Sequence, residues 1–103
     1  MVGTPEPWET NRQAYARVLE DIQQVGCYRA ANDIPFGAEW NTNFDPMTAG
    51  FVASDPRTLF ACTVEIPYAL AGGITISPDR ARSLGRDLAR AAAVFLGERE
   101  KTN

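Results

Sequence analysis

One apolar run decides the predicted fold: Leu59-Phe60-Ala61-Cys62-Thr63-Val64-Glu65-Ile66-Pro67-Tyr68. Aromatic and β-branched residues dominate it, and prolines lie just before it and near its end, so the pattern predicts a buried strand over residues 59–66. Because alternate side chains of a strand lie on opposite faces, Glu65 is expected on the face opposite Val64 and Ile66. An ionised carboxylate is costly to bury alone. We therefore expect Glu65 to be hydrogen-bonded, paired with an arginine, or open in a cleft at the carboxyl end of the strand.

A second signal follows this run. Gly72-Gly73 predicts a flexible link, and Ile74-Thr75-Ile76 predicts a brief edge strand. Ser77-Pro78-Asp79 is a typical helix start, and we expect the helix to cover residues 78–96 and to end at Gly97. Its predicted apolar stripe consists of Ala81, Leu84, Leu88, Ala91, Ala92 and Phe95. The opposite face carries arginines and is interpreted as solvated, partly neutralised by two aspartates: Arg82, Arg86, Arg90, Asp79 and Asp87.

An amphipathic pattern near the N-terminus predicts a further helix from about Pro7 to Val25, with Gly26 as its terminating residue. Six apolar residues recur at helical spacing and form its predicted packing face: Trp8, Tyr15, Val18, Leu19, Ile22 and Val25. Charged residues of both signs, including Glu9 and Arg12, are expected on the solvent side. We interpret this as a packing helix.

The predicted fold class is α/β, with a small mixed sheet of about two to four strands packed between these two main helices. The strand at residues 59–66 is expected to be central. A length of 103 residues suffices for one small domain, so residues 1–103 are predicted to form a single domain.

Between Cys27 and Arg57 the periodic pattern fades. Residues 27–30 are a candidate short strand, and we predict that residues 39–46 form an exposed connecting loop. Residues 39–46 mix aromatic residues with amides and acids. Long loops in compact domains are often binding or lid loops, and an aromatic residue in a polar loop, such as Trp40, either anchors a ligand or covers a neighbour. The alternative is that the loop packs against a larger body.

Taken in order, these segments resemble the closing segment of the zinc metallocarboxypeptidases of the carboxypeptidase A type. The resemblance covers residues 26–97, and its most specific part is Thr63-Val64-Glu65, which matches the family's Thr-x-Glu strand. It implies that this chain is the C-terminal portion of a zinc carboxypeptidase-like hydrolase that cleaves peptide or amide bonds, with Glu65 as catalytic general base. It also implies that the segment before the strand helps to form a specificity pocket. Four residues are its candidate substrate-binding wall: Phe36, Trp40, Asn41 and Phe44.

The resemblance also implies a zinc cofactor, which the family holds with a His-x-x-Glu pair and a second, later histidine. This chain contains no histidine. Catalytic zinc needs about three protein ligands from His, Asp, Glu or Cys, and Cys27 and Cys62 lack the spacing of a metal-binding pair. We expect two free thiols, no zinc bound to this chain alone, and no activity of the chain in isolation.

Three hypotheses follow. In the first, the chain completes a separate polypeptide or is part of a truncated hydrolase and contributes Glu65. In the second, it is a non-catalytic binding or dimerisation module derived from that fold, in which Glu65 pairs with Arg57 or a helix arginine. In the third, it is an unrelated small α/β domain. An open Glu65 beside exposed apolar residues favours the first, and a salt-bridged, occluded Glu65 favours the second.

Composition and charge limit the classes of partner that we expect. The net charge of −3, without a clustered basic face beyond one helix, argues against a nucleic-acid partner. No apolar run approaches the roughly 20 residues that span a bilayer, so no membrane partner is expected. Residues 1–7 lack the features of a secretory signal, and the predicted location is cytoplasmic. The expected partners are a peptide-like substrate and either a complementary chain or further copies of this chain.

Overall fold

The structure is a computed structural model that describes residues 1–67 and 69–102. Tyr68, the last residue of the apolar run, lies outside the described residues. Three helices are seen, α1 (Trp8–Ile22), α2 (Thr48–Ala53) and α3 (Pro78–Thr102), together with a single 3-10 turn at Ala30–Asn32. Two short strands, β1 (Leu70–Ala71) and β2 (Ile74–Thr75), complete the elements of the described part. The chain is therefore of a mixed α/β class with a small sheet.

The chain forms two compact units. The first unit comprises Met1–Gln13 and Ala30–Glu65, and the second comprises Ala14–Arg29 and Ile66–Asn103. Helix α1 thus gives its first residues to one unit and its remainder to the other.

The predicted central strand is wrong, because residues 59–66 form neither strand nor helix. The segment is held by isolated bonds: the Thr63 carbonyl accepts the Val2 N–H at 2.9 Å, and the Leu59 carbonyl accepts the side-chain amide of Asn11 at 2.9 Å. Its later residues are open to solvent, with Val64 37% and Ile66 48% exposed. A strand needs a neighbouring backbone to pair with, and β-propensity without such a neighbour does not make one.

The sheet lies instead in the hairpin that follows. Strands β1 and β2 pair antiparallel, with Leu70 opposite Thr75 and Ala71 opposite Ile74. Gly72 and Gly73 form the turn at φ values of 55° and 80°, which is the backbone that a two-residue hairpin turn requires. The expected edge strand is thereby confirmed for Ile74–Thr75, while the sheet is antiparallel rather than mixed.

The core of the first unit gathers around Phe44, Ala49 and Ala53, with Trp8 and Ala61 packed against them. The rings of Trp8 and Phe44 lie 5.4 Å apart between centroids. Helix α2 supplies two of these residues and lies in the stretch where the periodic pattern fades, so the sequence pattern did not indicate it. Periodicity cannot reveal a helix of six residues, because it contains fewer than two turns.

The core of the second unit joins α1 to α3. The Tyr15 hydroxyl donates to the Leu88 carbonyl at 2.8 Å, and the Tyr15 ring meets Phe95 edge-on at 6.2 Å. These residues belong to the predicted apolar stripes, which are confirmed by five buried members: Tyr15, Leu19, Leu84, Ala91 and Phe95. The N-cap prediction is also confirmed, since the Arg80 N–H donates to Ser77 Oγ at 3.2 Å.

Both predicted helix ends need correction. Helix α1 ends at Ile22 rather than Val25, because the N–H groups of Gln24 and Val25 turn to the Asp87 carboxylate at 2.9 and 3.1 Å. Asp87 is buried and does not neutralise the arginine face, whereas Asp79 pairs with Arg82 at 2.7 Å as expected. Helix α3 continues through Gly97, because one glycine costs about 1 kcal/mol relative to alanine and strong helix formers follow it.

Cys27 and Cys62 are free thiols, as predicted. Among the described residues, no helix is both long enough and apolar enough to cross a membrane.

Candidate functional site

Glu65, the predicted general base, is the last residue of the first unit and is exposed to solvent. Within residues 1–67 and 69–102, neither Glu65 nor its neighbour Val64 makes a hydrogen bond or an ion pair. Arg57, the partner expected in the non-catalytic hypothesis, pairs instead with Asp55 at 2.7 Å. Glu65 is therefore an open carboxylate beside an exposed apolar side chain.

The four candidate substrate-binding residues lie in different environments. Trp40 is 50% exposed, while Asn41 and Phe44 are 1% and 6% exposed. The Asn41 amide donates to the carbonyls of Gly3 at 2.8 Å and Ile34 at 3.2 Å, so it links the N-terminal segment to residue 34. Of the four, Trp40 and Phe36 are open to solvent, and Phe36 is 38% exposed. Their contact with a substrate stays a prediction.

A small cavity of about 10 Å³ lies beside Asn41 and Phe44, and Cys62 and Thr63 contribute to its wall. A cavity of this size has room for one water molecule at most. It cannot admit a peptide side chain. This cavity therefore offers no substrate pocket beside Asn41 and Phe44.

A buried charge network is the feature of the first unit that the sequence pattern missed. Arg12 is 4% exposed. Its guanidinium contacts Glu9 Oε1 at 2.6 Å through Nε and Asp33 Oδ2 at 2.8 Å through Nη1. The ammonium group of Met1 lies 2.9 Å from the other oxygen of Asp33, and the Thr4 N–H donates to Glu9 at 2.9 Å. The (i, i+3) spacing of Glu9 and Arg12 was a usable signal, but no periodic signal indicates Asp33 as a partner.

The hydrogen bonds of this network stabilise the ionised forms of Glu9 and Arg12. Burial by itself raises the pKa of Glu9, but hydrogen bonds from Arg12, Thr4 and Gln13 outweigh burial and lower that pKa to about 2. The hydrogen bond to Glu9 raises the pKa of Arg12 further above its ordinary value. Glu9 is thus ionised and fully bonded at neutral pH, which suits a structural group and not a proton carrier.

Cys62 lies near the same network, and burial is the largest cause that raises the pKa of its thiol, partly opposed by the positive charge of Arg12. Nucleophilic cysteines need the opposite shift, because the thiolate is the reactive form. Cys62 therefore packs as a small apolar residue.

The residues present do not fit the zinc site that the resemblance implies. Throughout the part of the chain that the structure describes, no three His, Cys, Asp or Glu side chains are grouped so as to hold a metal ion. The donor set that catalytic zinc requires is therefore missing from these residues.

Comparisons of the chain with protein-family models, with curated proteins and with solved structures found no match.

Proposed function

We propose that this chain forms the C-terminal part of a zinc carboxypeptidase-like hydrolase, which cleaves peptide or amide bonds and in which Glu65 is the general base. The observation that carries the proposal is the exposed carboxylate of Glu65, which within residues 1–67 and 69–102 has no hydrogen-bond or ion-pair partner. An isolated surface glutamate is ordinary. This one coincides with the glutamate that matches the Thr-x-Glu pattern, and it lies beside Val64, which is 37% exposed.

As a general base, Glu65 needs only free capacity to accept a proton. A carboxylate without an intramolecular partner has oxygen lone pairs free to accept a proton from a water molecule held at about 2.6–3.2 Å. Glu9, the carboxylate of the buried network, has no such capacity, because Arg12, Thr4 and Gln13 already donate to it. Glu65 is therefore the better candidate for proton transfer.

The metal has to be held elsewhere. Because the described residues offer no fitting donor set, the chain accounts for the proton-accepting carboxylate and not for the metal. The proposal therefore needs a complementary polypeptide with the His-x-x-Glu pair and the later histidine. It also predicts that the isolated chain is inactive.

The test is reconstitution. The chain is co-expressed with a polypeptide that carries those zinc ligands, and hydrolysis of acylated dipeptides is measured together with metal content. Glu65→Gln keeps the size of the side chain and removes its basicity, and we expect it to lower turnover by about 10²–10⁴-fold. Glu98→Gln, at an exposed position of α3, is the matched control and should leave turnover unchanged.

Two results would overturn the proposal. One is an active assembly in which Glu65→Gln turns over as fast as the original sequence. The other is turnover by the isolated chain with stoichiometric zinc, since that would require a ligand set among residues that do not provide one.

A second candidate function, a non-catalytic binding or dimerisation module, is favoured by the surface of α2. Phe51 is 77% exposed and Val52 is 47% exposed, and neighbouring apolar side chains of this kind often mark contact surfaces. An isolated chain that forms a clean oligomer, holds no zinc, and dissociates on Phe51→Ser would favour this function. Glu65→Gln should then leave the oligomer unchanged.

A further inference from the structure

The second unit contains an open cleft of about 530 Å³, between the chain that leaves α1, strand β2 and the first turns of α3. Six residues of its wall supply its polar and apolar side chains: Gln24, Val25, Ile74, Thr75, Arg80 and Ser83. Cavities of this size accommodate small organic molecules. The cleft is distinct from Glu65, which belongs to the first unit.

Arg80 is the charged group of this cleft. Its Nη1 donates to the Thr75 carbonyl at 2.7 Å, which anchors one corner of the guanidinium on β2. Within the described residues, its Nε and Nη2 have no partner. An arginine with one corner anchored and the adjacent edge free presents two parallel N–H donors, the arrangement that binds a carboxylate through both oxygens.

Two further donors lie in the same wall. The Gln24 backbone N–H is bound by Asp87 at 2.9 Å, which fixes this residue while its side-chain amide makes no hydrogen bond within the described residues. The Ser83 hydroxyl accepts only a long contact from Arg86 at 3.5 Å and retains its own proton as a donor. No acidic side chain appears among the described residues of the wall, so the cleft favours an anion.

Apolar side chains distinguish this cleft from a simple phosphate site. Val25 and Ile74 are both half-buried in its wall, and the Val25 N–H is fixed by Asp87 at 3.1 Å. A fully hydrated anion gains no binding free energy from such a surface. The hydrocarbon group of a small carboxylate covers the apolar surface and removes it from water. A single arginine also suits one carboxylate better than a multiply charged phosphate.

We infer that this cleft binds a small organic carboxylate with a short apolar group, whose carboxylate lies on Arg80 and whose hydrocarbon part covers Val25 and Ile74. The inference is independent of the proposed hydrolase function. It assigns a ligand class to the second unit, to which the proposed hydrolase function assigns none.

The test is a titration followed by amide resonances of the ¹⁵N-labelled chain with four probes: 3-methylbutanoate, acetate, inorganic phosphate and 3-methylbutan-1-ol. We expect 3-methylbutanoate to shift the amides of Gln24, Val25 and Thr75 in a saturable manner. Acetate should bind about tenfold more weakly, because it lacks the hydrocarbon that covers the apolar wall. The neutral alcohol should not saturate the site. Phosphate that binds more tightly than 3-methylbutanoate would overturn the assigned ligand class.

Variants of the arginines sharpen the test. Arg80→Gln removes the charge and should weaken 3-methylbutanoate binding about tenfold or more, since charge-assisted hydrogen bonds are lost. Arg80→Lys keeps the charge but not the paired donors, so it should also bind more weakly. Arg82→Gln is the matched control, because Arg82 pairs with Asp79 on the exposed side of the same helix. Equal loss in Arg80→Gln and Arg82→Gln would overturn the site in favour of general attraction to a basic helix.

Arg80 also contacts Thr75, so a loss of binding in the Arg80 variants has two possible causes: the lost ligand contact or a local change in the fold. A second variant, away from this contact, separates them. Val25→Ala leaves the backbone bond to Asp87 in place and shortens the apolar wall. We expect it to narrow the difference in affinity between 3-methylbutanoate and acetate. An unchanged difference would contradict the assignment of Val25 to the hydrocarbon contact.

Discussion

Two glutamates of the first unit lie in opposite environments. Glu9 is bonded by Arg12 at 2.6 Å, by the Thr4 N–H at 2.9 Å and by Gln13 at 3.0 Å. Glu65 is exposed and, within the described residues, accepts no hydrogen bond and forms no ion pair. The difference lies in how much acceptor capacity remains: almost none for Glu9, and all of it for Glu65.

This difference separates a carboxylate that is committed to the fold from one that is available for the proposed function. A buried carboxylate has to be fully bonded, because an unpartnered charge away from water is costly. An exposed carboxylate has no such constraint and is free to bind water or a ligand. Substitutions at the two sites should therefore affect different properties: the folding free energy at the Glu9 network, and function at Glu65.

The largest expected effect comes from Arg12→Leu. It removes the buried cation between Glu9 and Asp33 and leaves two partly buried carboxylates with fewer partners, so the free energy of unfolding should fall by about 3–5 kcal/mol. Urea unfolding followed by circular dichroism measures it. Arg17→Leu is the control, because Arg17 is exposed on the same helix and leucine and arginine have similar helix propensity. Equal effects of the two substitutions would show that the network contributes nothing beyond helix formation.

A smaller effect is expected on the pH dependence of stability. The folded-state pKa of Glu9 is about 2 against an ordinary value of 4.5, so its contribution is complete above about pH 4.5. Because the folded pKa is the lower one, this contribution is lost as the pH falls from about 4.5 to about 2. Urea midpoints measured across this range should fall with pH, and the fall should be shallower in Glu9→Gln. A Glu9→Gln curve parallel to that of the original sequence would contradict the assignment.

The sequence pattern predicted the parts of the fold that depend on regular spacing. The two long helices, the Ser77 N-cap and the packing of Tyr15 and Phe95 all follow from residues that recur at helical intervals. The physical cause is local, because residues three or four positions apart lie on the same face of a helix. The hairpin was not predicted: Gly72-Gly73 was interpreted as a flexible link, whereas its positive φ values form the turn.

The missed features depend on contacts between residues distant in the chain. Residues 59–66 have the composition of a strand but pair with no strand among the described residues, and composition does not reveal a missing neighbour. Arg12 appeared suited to solvent because its buried partner, Asp33, lies 21 residues away. The Asn41 amide donates to the Gly3 carbonyl, 38 residues away, and no periodic signal indicates that contact.

The smallest expected effect on stability is that of Glu65→Gln. The side chain is exposed and makes no bond within residues 1–67 and 69–102, so the free energy of unfolding should change by no more than about 0.5 kcal/mol. The same urea unfolding experiment measures it, with Glu98→Gln as an equally exposed control. A loss as large as that of Arg12→Leu would mean that Glu65 is bonded in solution, and the contrast between the two glutamates would disappear. If the stability is unchanged, the folded fraction of Glu65→Gln equals that of the original sequence. Any loss of turnover can then be assigned to the carboxylate itself.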